Sequence, residues 1–212
     1  MYDEIATLYH LVYRDWNAAI AEQAATLDAI IRTHVGPPPR AILDVSCGIG
    51  TQALGLAALG HAVTASDLSS AAVERARLEA ARRNLTIHFT VADMRRCAEV
   101  HGSGFDVVLS VDNSIPHLLS DDAIREALRN FYRCIRPGGI TILGLRDHSG
   151  KERSSQPANV RQLGYLIYGS PASVAHRTEA LRTGLRDLGY VEGKNITIAF
   201  HTGGPQPTWT RS

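Results

Sequence analysis

The chain has 212 residues, enough to bury a sizeable core in one domain, or in one domain plus a fragment. Its 22 basic and 21 acidic residues leave a formal net charge of +1, which argues against a general electrostatic role on nucleic acid or an anionic membrane. Cys47, Cys97 and Cys134 are too widely spaced for a disulfide framework or a CxxC metal pair, the first ten residues lack a basic-then-apolar export signal, and no run approaches the roughly 18 apolar residues of a membrane span.

These features predict a soluble, cytoplasmic, mixed α/β protein that binds no metal. Removing Lys151 and Lys194 from the 22 basic residues leaves 20 arginines, scattered and not in tracts, which reads as composition and not as a binding code.

Residues 1–34 carry apolar side chains at helical spacing (Ile5, Leu8, Val12, Trp16, Ile20, Ala24, Leu27, Ile31) and are predicted helical up to Gly36-Pro37-Pro38-Pro39. Short apolar runs follow at 41–45, 62–65, 86–91, 105–111 and 140–145. Helix-like stretches separate them at 52–59, 70–83, weakly at 94–100, and at 121–135. Such alternation predicts a doubly wound, mostly parallel sheet covered on both faces. Residues 1–148 form this unit and 149–161 are a polar linker. Residues 162–212 then hold a strand–helix–strand segment (163–168, 173–188, 195–200) and a frayed tail.

The strongest chemical signal is Asp44-Val-Ser46-Cys47-Gly48-Ile-Gly50-Thr51, where a buried strand enters a glycine turn that opens a helix. Gly48 and Gly50 let backbone approach a ligand, and the helix start offers free N–H groups. The spacing Gly48-x-Gly50-x-x-Ala53 also meets the loose dinucleotide fingerprint, which keeps a nucleotide-cofactor oxidoreductase as an alternative. Asp67, 17 positions past Gly50 at the tip of the second strand, is placed to accept ribose hydroxyls, to help cap the next helix, or both. Asp93 and Met94 end the third strand, where they could meet an adenine ring or simply form a surface turn. After the fourth strand, Asp112-Asn113-Ser114-Ile115-Pro116-His117 sets polar groups where open α/β sheets bind ligands. Arg136-Pro137-Gly138-Gly139 reads as a sharp reversal between a helix and the fifth strand.

Taken together, these motifs resemble the class I S-adenosylmethionine-dependent methyltransferases, with a Rossmann-like fold over residues 1–148. Asp112-Asn-Ser-Ile-Pro-His117 and the aromatic N-terminal stretch around Tyr2, Tyr9 and Trp16 are similar to the glycine and sarcosine N-methyltransferase group. One departure is Ser46, which stands where the family loop carries its first glycine. The resemblance implies that S-adenosylmethionine is held by Asp44, Ser46, Gly48, Gly50, Asp67, Leu68, Asp93, Met94, Val111 and Ser114. It implies further that Asn113 and Ser114 lie near the transferred methyl and Tyr9 under an N-terminal lid. His117 is the candidate base, and a small amine or amino acid is the expected acceptor. A nucleic-acid or amide target is disfavoured, because the chain lacks both a basic stripe and an Asp-Pro-Pro-Tyr string.

Beyond residue 147 the expected closing hairpin is not recognisable. The strings Leu163–His176 and Glu179–Ile198 instead resemble the first strand–helix–strand unit of periplasmic ABC-transporter substrate-binding proteins. This segment is expected to dock on the fifth-strand edge and extend the sheet, because Leu166, Ile167, Ile196 and Ile198 need burial. Loose packing there would leave an open edge and favour a homo-oligomer. Loss of substrate-closing elements would leave a cofactor-binding remnant without turnover.

Overall fold

The structure is a computed structural model, and it describes Asp3, residues 6–146, 161–168, Arg186 and 196–202. The predicted helix 173–188 lies outside the described residues apart from Arg186, which is helical. The predicted linker also lies outside them, except that Arg161 already belongs to a strand. The frayed tail likewise lies outside them beyond Thr202.

The N-terminal stretch is not one helix. A single 3-10 turn covers Tyr9–Val12, the backbone extends at Tyr13, and α1 (Trp16–His34) starts afresh. Asp15 causes the restart: extended itself, it accepts a hydrogen bond from the Ala18 N–H at 3.0 Å and caps the helix. Trp16, Ile20, Ala24, Leu27 and Ile31 then recur every three or four residues as the buried stripe. The alternation that follows is β1 (Ala41–Asp44), α2 (Thr51–Ala58), β2 (Ala62–Asp67), α3 (Ser70–Arg82) and β3 (His88–Val91). It continues through a 3-10 turn (Met94–Arg96), α4 (Cys97–His101), β4 (Phe105–Ser110), α5 (Asp121–Cys134) and β5 (Ile135–Arg146).

The sheet runs β3-β2-β1-β4-β5 and continues through β6 (Arg161–Tyr168) to β7 (Ile196–Thr202). Every neighbouring pair is parallel. β6 joins β5 with Thr141 opposite Leu163 and Arg146 opposite Tyr168. The Arg136-Pro-Gly-Gly139 segment lies within β5, which starts directly after α5, and not in a separate reversal. The irregularity survives as a register shift opposite Phe105–Val107 and a positive φ of 80° at Gly138.

Side chains alternate across the sheet, so each central strand feeds both faces. Ile42, Val107, Leu109 and Ile142 pack with α1, α2 and α3, whereas Leu43, Val108 and Leu143 pack with α5 around Phe131. The α1–α2 contact is close enough to require Gly55, where a Cβ would stand 2.5 Å from the Ala24 Cβ and 2.6 Å from the Ile20 carbonyl oxygen. At the amino ends of the strands, the Asp106 carboxylate accepts from the Ala41 N–H (2.7 Å) and from Arg136 Nε (2.6 Å). That tie joins the starts of β1, β4 and β5 and leaves the opposite, carboxyl ends to the loops. No helix among the described residues is long and apolar enough to cross a membrane.

Candidate active site

Parallel strands deliver all their carboxyl ends to one side, and there the loops enclose a cavity of about 580 Å³. Its size lies in the range of small-molecule sites. The loop after β1 is fixed by the Cys47 N–H, which donates to the Ser66 carbonyl, and by the Gly50 N–H, which donates to the Cys47 carbonyl. Its two glycines serve different ends. Gly48, at φ 51°, has nothing within 4 Å of a built Cβ and lines the cavity. Gly50, at φ 93°, faces the protein: a Cβ there would meet the Ala76 Cβ at 3.1 Å.

Asp67 braces this loop from the tip of β2. Its Oδ2 accepts from the Gly48 N–H (2.8 Å) and its Oδ1 from the Ser69 N–H (2.9 Å). The helix cap proper falls to Ser69, whose hydroxyl accepts from the Ala72 N–H. Asp93 is engaged within its own turn, accepting from the Arg95 N–H (2.9 Å) and pairing with the Arg95 guanidinium. That pairing holds its carboxyl below the usual carboxylate range.

After β4 the backbone does something uncommon: Asp112 and Asn113 both take left-handed conformations, φ 56° and 66°. The Asn113 N–H donates to the Gly144 carbonyl (3.1 Å), and the Ser114 hydroxyl donates to the Val111 carbonyl (2.8 Å). Asp112 Oδ2 accepts from the Tyr13 hydroxyl at 3.0 Å and from Gln52 Nε2 at 3.2 Å. Burial, seconded by the Asp112 charge, pushes the Tyr13 hydroxyl far up, so it remains a donor.

The N-terminal segment covers the cavity with Ala6, Tyr9 and Tyr13. It is fastened along its length. Asp3 Oδ1 accepts from the Ser69 hydroxyl (2.6 Å) and the Ala71 N–H (3.1 Å), and the Thr7 carbonyl accepts from Arg75 (2.8 Å). Trp16 Nε1 donates to the Thr51 hydroxyl at 2.8 Å, and its ring lies 5.5 Å from the Arg75 guanidinium and 5.2 Å from that of Arg83.

Of the residues singled out from the sequence, the cavity wall brings together Tyr9, Ser46, Gly48, Asp67, Leu68, Asp93, Met94, Ser114 and His117. Four others are not in that wall. Gly50 and Val111 are packing residues, the latter within the core against Gly144. Asn113 is turned into a backbone tie by its left-handed conformation. Asp44 lies buried beneath the floor, 1% exposed, with Oδ1 accepting from the Ser46 N–H (3.2 Å) and Oδ2 without a partner. Burial, with Asp67 and Asp112 adding, pushes its carboxyl up to about 8. Tyr13, Gln52 and Arg95 line the cavity and were missed, and Asp112, though part of the polar string after β4, was given no role of its own. Arg95 and Gln52 stood directly beside residues already singled out, whereas Tyr13 arrives from the N-terminal cover that precedes α1.

A family model described as a methyltransferase domain matches residues 42–139. The glycine/sarcosine N-methyltransferase of Parasynechococcus marenigrum (strain WH8102) is 30% identical over 135 residues, covering 63% of this chain and 46% of that protein. The chain thus spans about half the length of that relative. The dTDP-3-amino-3,6-dideoxy-alpha-D-glucopyranose N,N-dimethyltransferase of Streptomyces fradiae is 27% identical, covering 95% of this chain and 87% of that one. The magnesium protoporphyrin IX methyltransferase of Synechocystis PCC 6803, solved with bound S-adenosylmethionine, shares the fold at a TM-score of 0.55. Its identity is 16%, and the match covers 84% of this chain and 74% of that one. The resemblance of residues 162–200 to a transporter binding protein is not borne out, since the Streptomyces alignment carries nearly the whole chain along with a methyltransferase. Motif order, cavity position and these matches agree on a class I S-adenosylmethionine-dependent methyltransferase domain, which the family model matches over residues 42–139.

Proposed function

We propose that the chain transfers a methyl group from S-adenosylmethionine to the nitrogen of a small amine. The observation that carries this reading is the cavity at the carboxyl ends of β1–β4. There Asp67, held by two backbone N–H groups, faces an unobstructed Gly48 under a cover of Tyr9 and Tyr13. These residues fit the cofactor. A carboxylate has about four lone-pair sites, so Asp67 keeps capacity for two ribose hydroxyls after serving Gly48 and Ser69. Leu68 and Met94 offer apolar surface to a planar base, and Gly48 leaves room for an extended chain. Asp93 is the weaker contributor, because Arg95 already occupies its carboxylate.

When bound, the cofactor supplies a methyl group on a sulfonium sulfur, which is electrophilic without further activation. The protein's share is alignment and exclusion of water, and holding two partners in attack geometry supplies roughly 7–11 kcal/mol. The acceptor's nitrogen lone pair would form the N–C bond as the C–S bond breaks with its electrons left on sulfur. Positive charge passes to nitrogen, and one proton leaves to water. His117, exposed at the rim, serves to keep the incoming amine unprotonated. The names of the two relatives described above, both N-methyltransferases, support nitrogen as the acceptor atom.

Calorimetry with S-adenosylmethionine and S-adenosylhomocysteine, followed by radiolabelled methyl transfer to a panel of amines, tests the reading. Binding of both and label on an amine are expected. Absence of cofactor affinity sinks it, and affinity without any label moved makes the chain a cofactor binder without turnover.

A further inference from the structure

Asp112 is a charged residue of the cavity wall to which the cofactor assigns no task. Its backbone and that of Asn113 sit in the left-handed region, which non-glycine residues occupy at a cost and keep only where the surroundings enforce it; such outliers gather at functional sites. Two elements orient the carboxylate. The Tyr13 hydroxyl comes from the N-terminal cover and the Gln52 amide from α2, and both donate to Oδ2. Gln52 is itself held, its Nε2 also lying 2.6 Å from Gln23 Oε1 on α1. Among the described residues no hydrogen bond reaches Oδ1, and Asp112 is exposed to the cavity mouth. The wall otherwise carries Asp67, the Asp93–Arg95 ion pair and His117.

From this arrangement we infer that Asp112 anchors the acceptor's amino group through Oδ1 and selects primary or secondary amines that carry no carboxylate. The inference rests on the methyltransferase reading of the same site. An ammonium or amine N–H meeting a fixed carboxylate makes a charge-assisted hydrogen bond, shorter and stronger than a neutral one. A carboxylate on the acceptor would face Asp112 and Asp67, and the guanidinium in the described wall is already committed to Asp93. Selectivity of this kind needs a repulsive element as well as an attractive one, and one residue supplies both. Tyr13 acts as a positioning residue: by holding Oδ2 it turns Oδ1 toward the acceptor.

The test uses the full chain loaded with S-adenosylhomocysteine and two probes of similar size, ethanolamine and glycine, with binding read by ligand-observed NMR. Asp112→Asn is a suitable variant because asparagine tolerates the left-handed backbone, and its affinity for S-adenosylhomocysteine serves as the control for folding. The parent complex should bind ethanolamine at least about tenfold more tightly than glycine. Asp112→Asn should lose at least about tenfold in ethanolamine affinity while binding S-adenosylhomocysteine within about twofold of the parent. Tyr13→Phe should weaken ethanolamine binding by a smaller factor than Asp112→Asn does. Glycine bound as tightly as ethanolamine, a parent complex that binds neither, or an Asp112→Asn variant that binds ethanolamine like its parent overturns the inference and leaves the methyltransferase reading standing. A parent chain that binds no S-adenosylhomocysteine overturns both.

Discussion

The Asp44→Asn variant is expected to gain stability on its parent as pH rises from 5 to 8. Asp44 is buried with one orphan oxygen, and burial holds its carboxyl near 8 against an ordinary 3.8. Because the folded-state value is the higher one, the native chain binds this proton more tightly than the unfolded chain does. The resulting stability is fully present below about pH 3.8 and is lost as pH climbs toward 8. Inside that window each pH unit removes about 1.4 kcal/mol from the parent. Asparagine keeps the oxygen that accepts from the Ser46 N–H and has no titrating proton, while all other ionisable groups cancel in the comparison. Its amide N–H₂ at the orphan position costs ~1–3 kcal/mol, but that cost does not depend on pH. The gap between the two proteins should therefore swing by about 4 kcal/mol in favour of asparagine over those three pH units. Urea unfolding of both chains at pH 5 and pH 8 measures it. A swing below about 1 kcal/mol would refute a protonated Asp44 beneath the cavity floor.

Asp67→Ala should weaken S-adenosylhomocysteine binding by about 10–100-fold in calorimetry, and unchanged affinity would remove Asp67 from the cofactor site. Gly55→Ala should lower the melting temperature by about 3–8 °C although alanine favours helix by ~1 kcal/mol, because the new Cβ would press on the α1 backbone at Ile20. A rise in circular-dichroism melting temperature would contradict that close helix contact. Phe131→Ala, on the buried face of α5 and 1% exposed, should cost about 3–5 kcal/mol in urea unfolding, and a loss under 1 kcal/mol would contradict the packing described.

The parts of the fold written in local pattern were legible from the sequence. Apolar runs located β1, β2 and β4 to within two residues of their observed ends, and the Ser-led stretch at 70–83 matched a helix that Ser69 caps. Periodicity alone misread 1–34, because spacing does not register a capping side chain in mid-run, and Asp15 decides where α1 begins. The site was legible where its residues sit on the loops that follow strands, as with Ser46, Asp67 and Met94. It was illegible where long-range packing delivers a side chain. Tyr13 and Asp112 meet 99 positions apart, and nothing local to either announces the other. Glycine identity also proved an incomplete guide: Gly48 and Gly50 share one motif, yet one opens toward the cavity and the other fits against α3.

The strand order has a bearing on how the chain assembles. β1, β2 and β3 can pair with one another from contiguous sequence, but β1 must wait for β4, and Ile42 meets Val107 across 65 positions. Contacts this distant are slow to form, so the joining of the two halves is expected to come late. Until then the apolar edge of β1 stands unpaired and is open to intermolecular association. The cavity straddles that same seam, with its β1 loop on one side and Asp112 on the other. Ligand-binding competence therefore requires the two halves to be joined, and a chain caught before that would be both sticky and unable to bind.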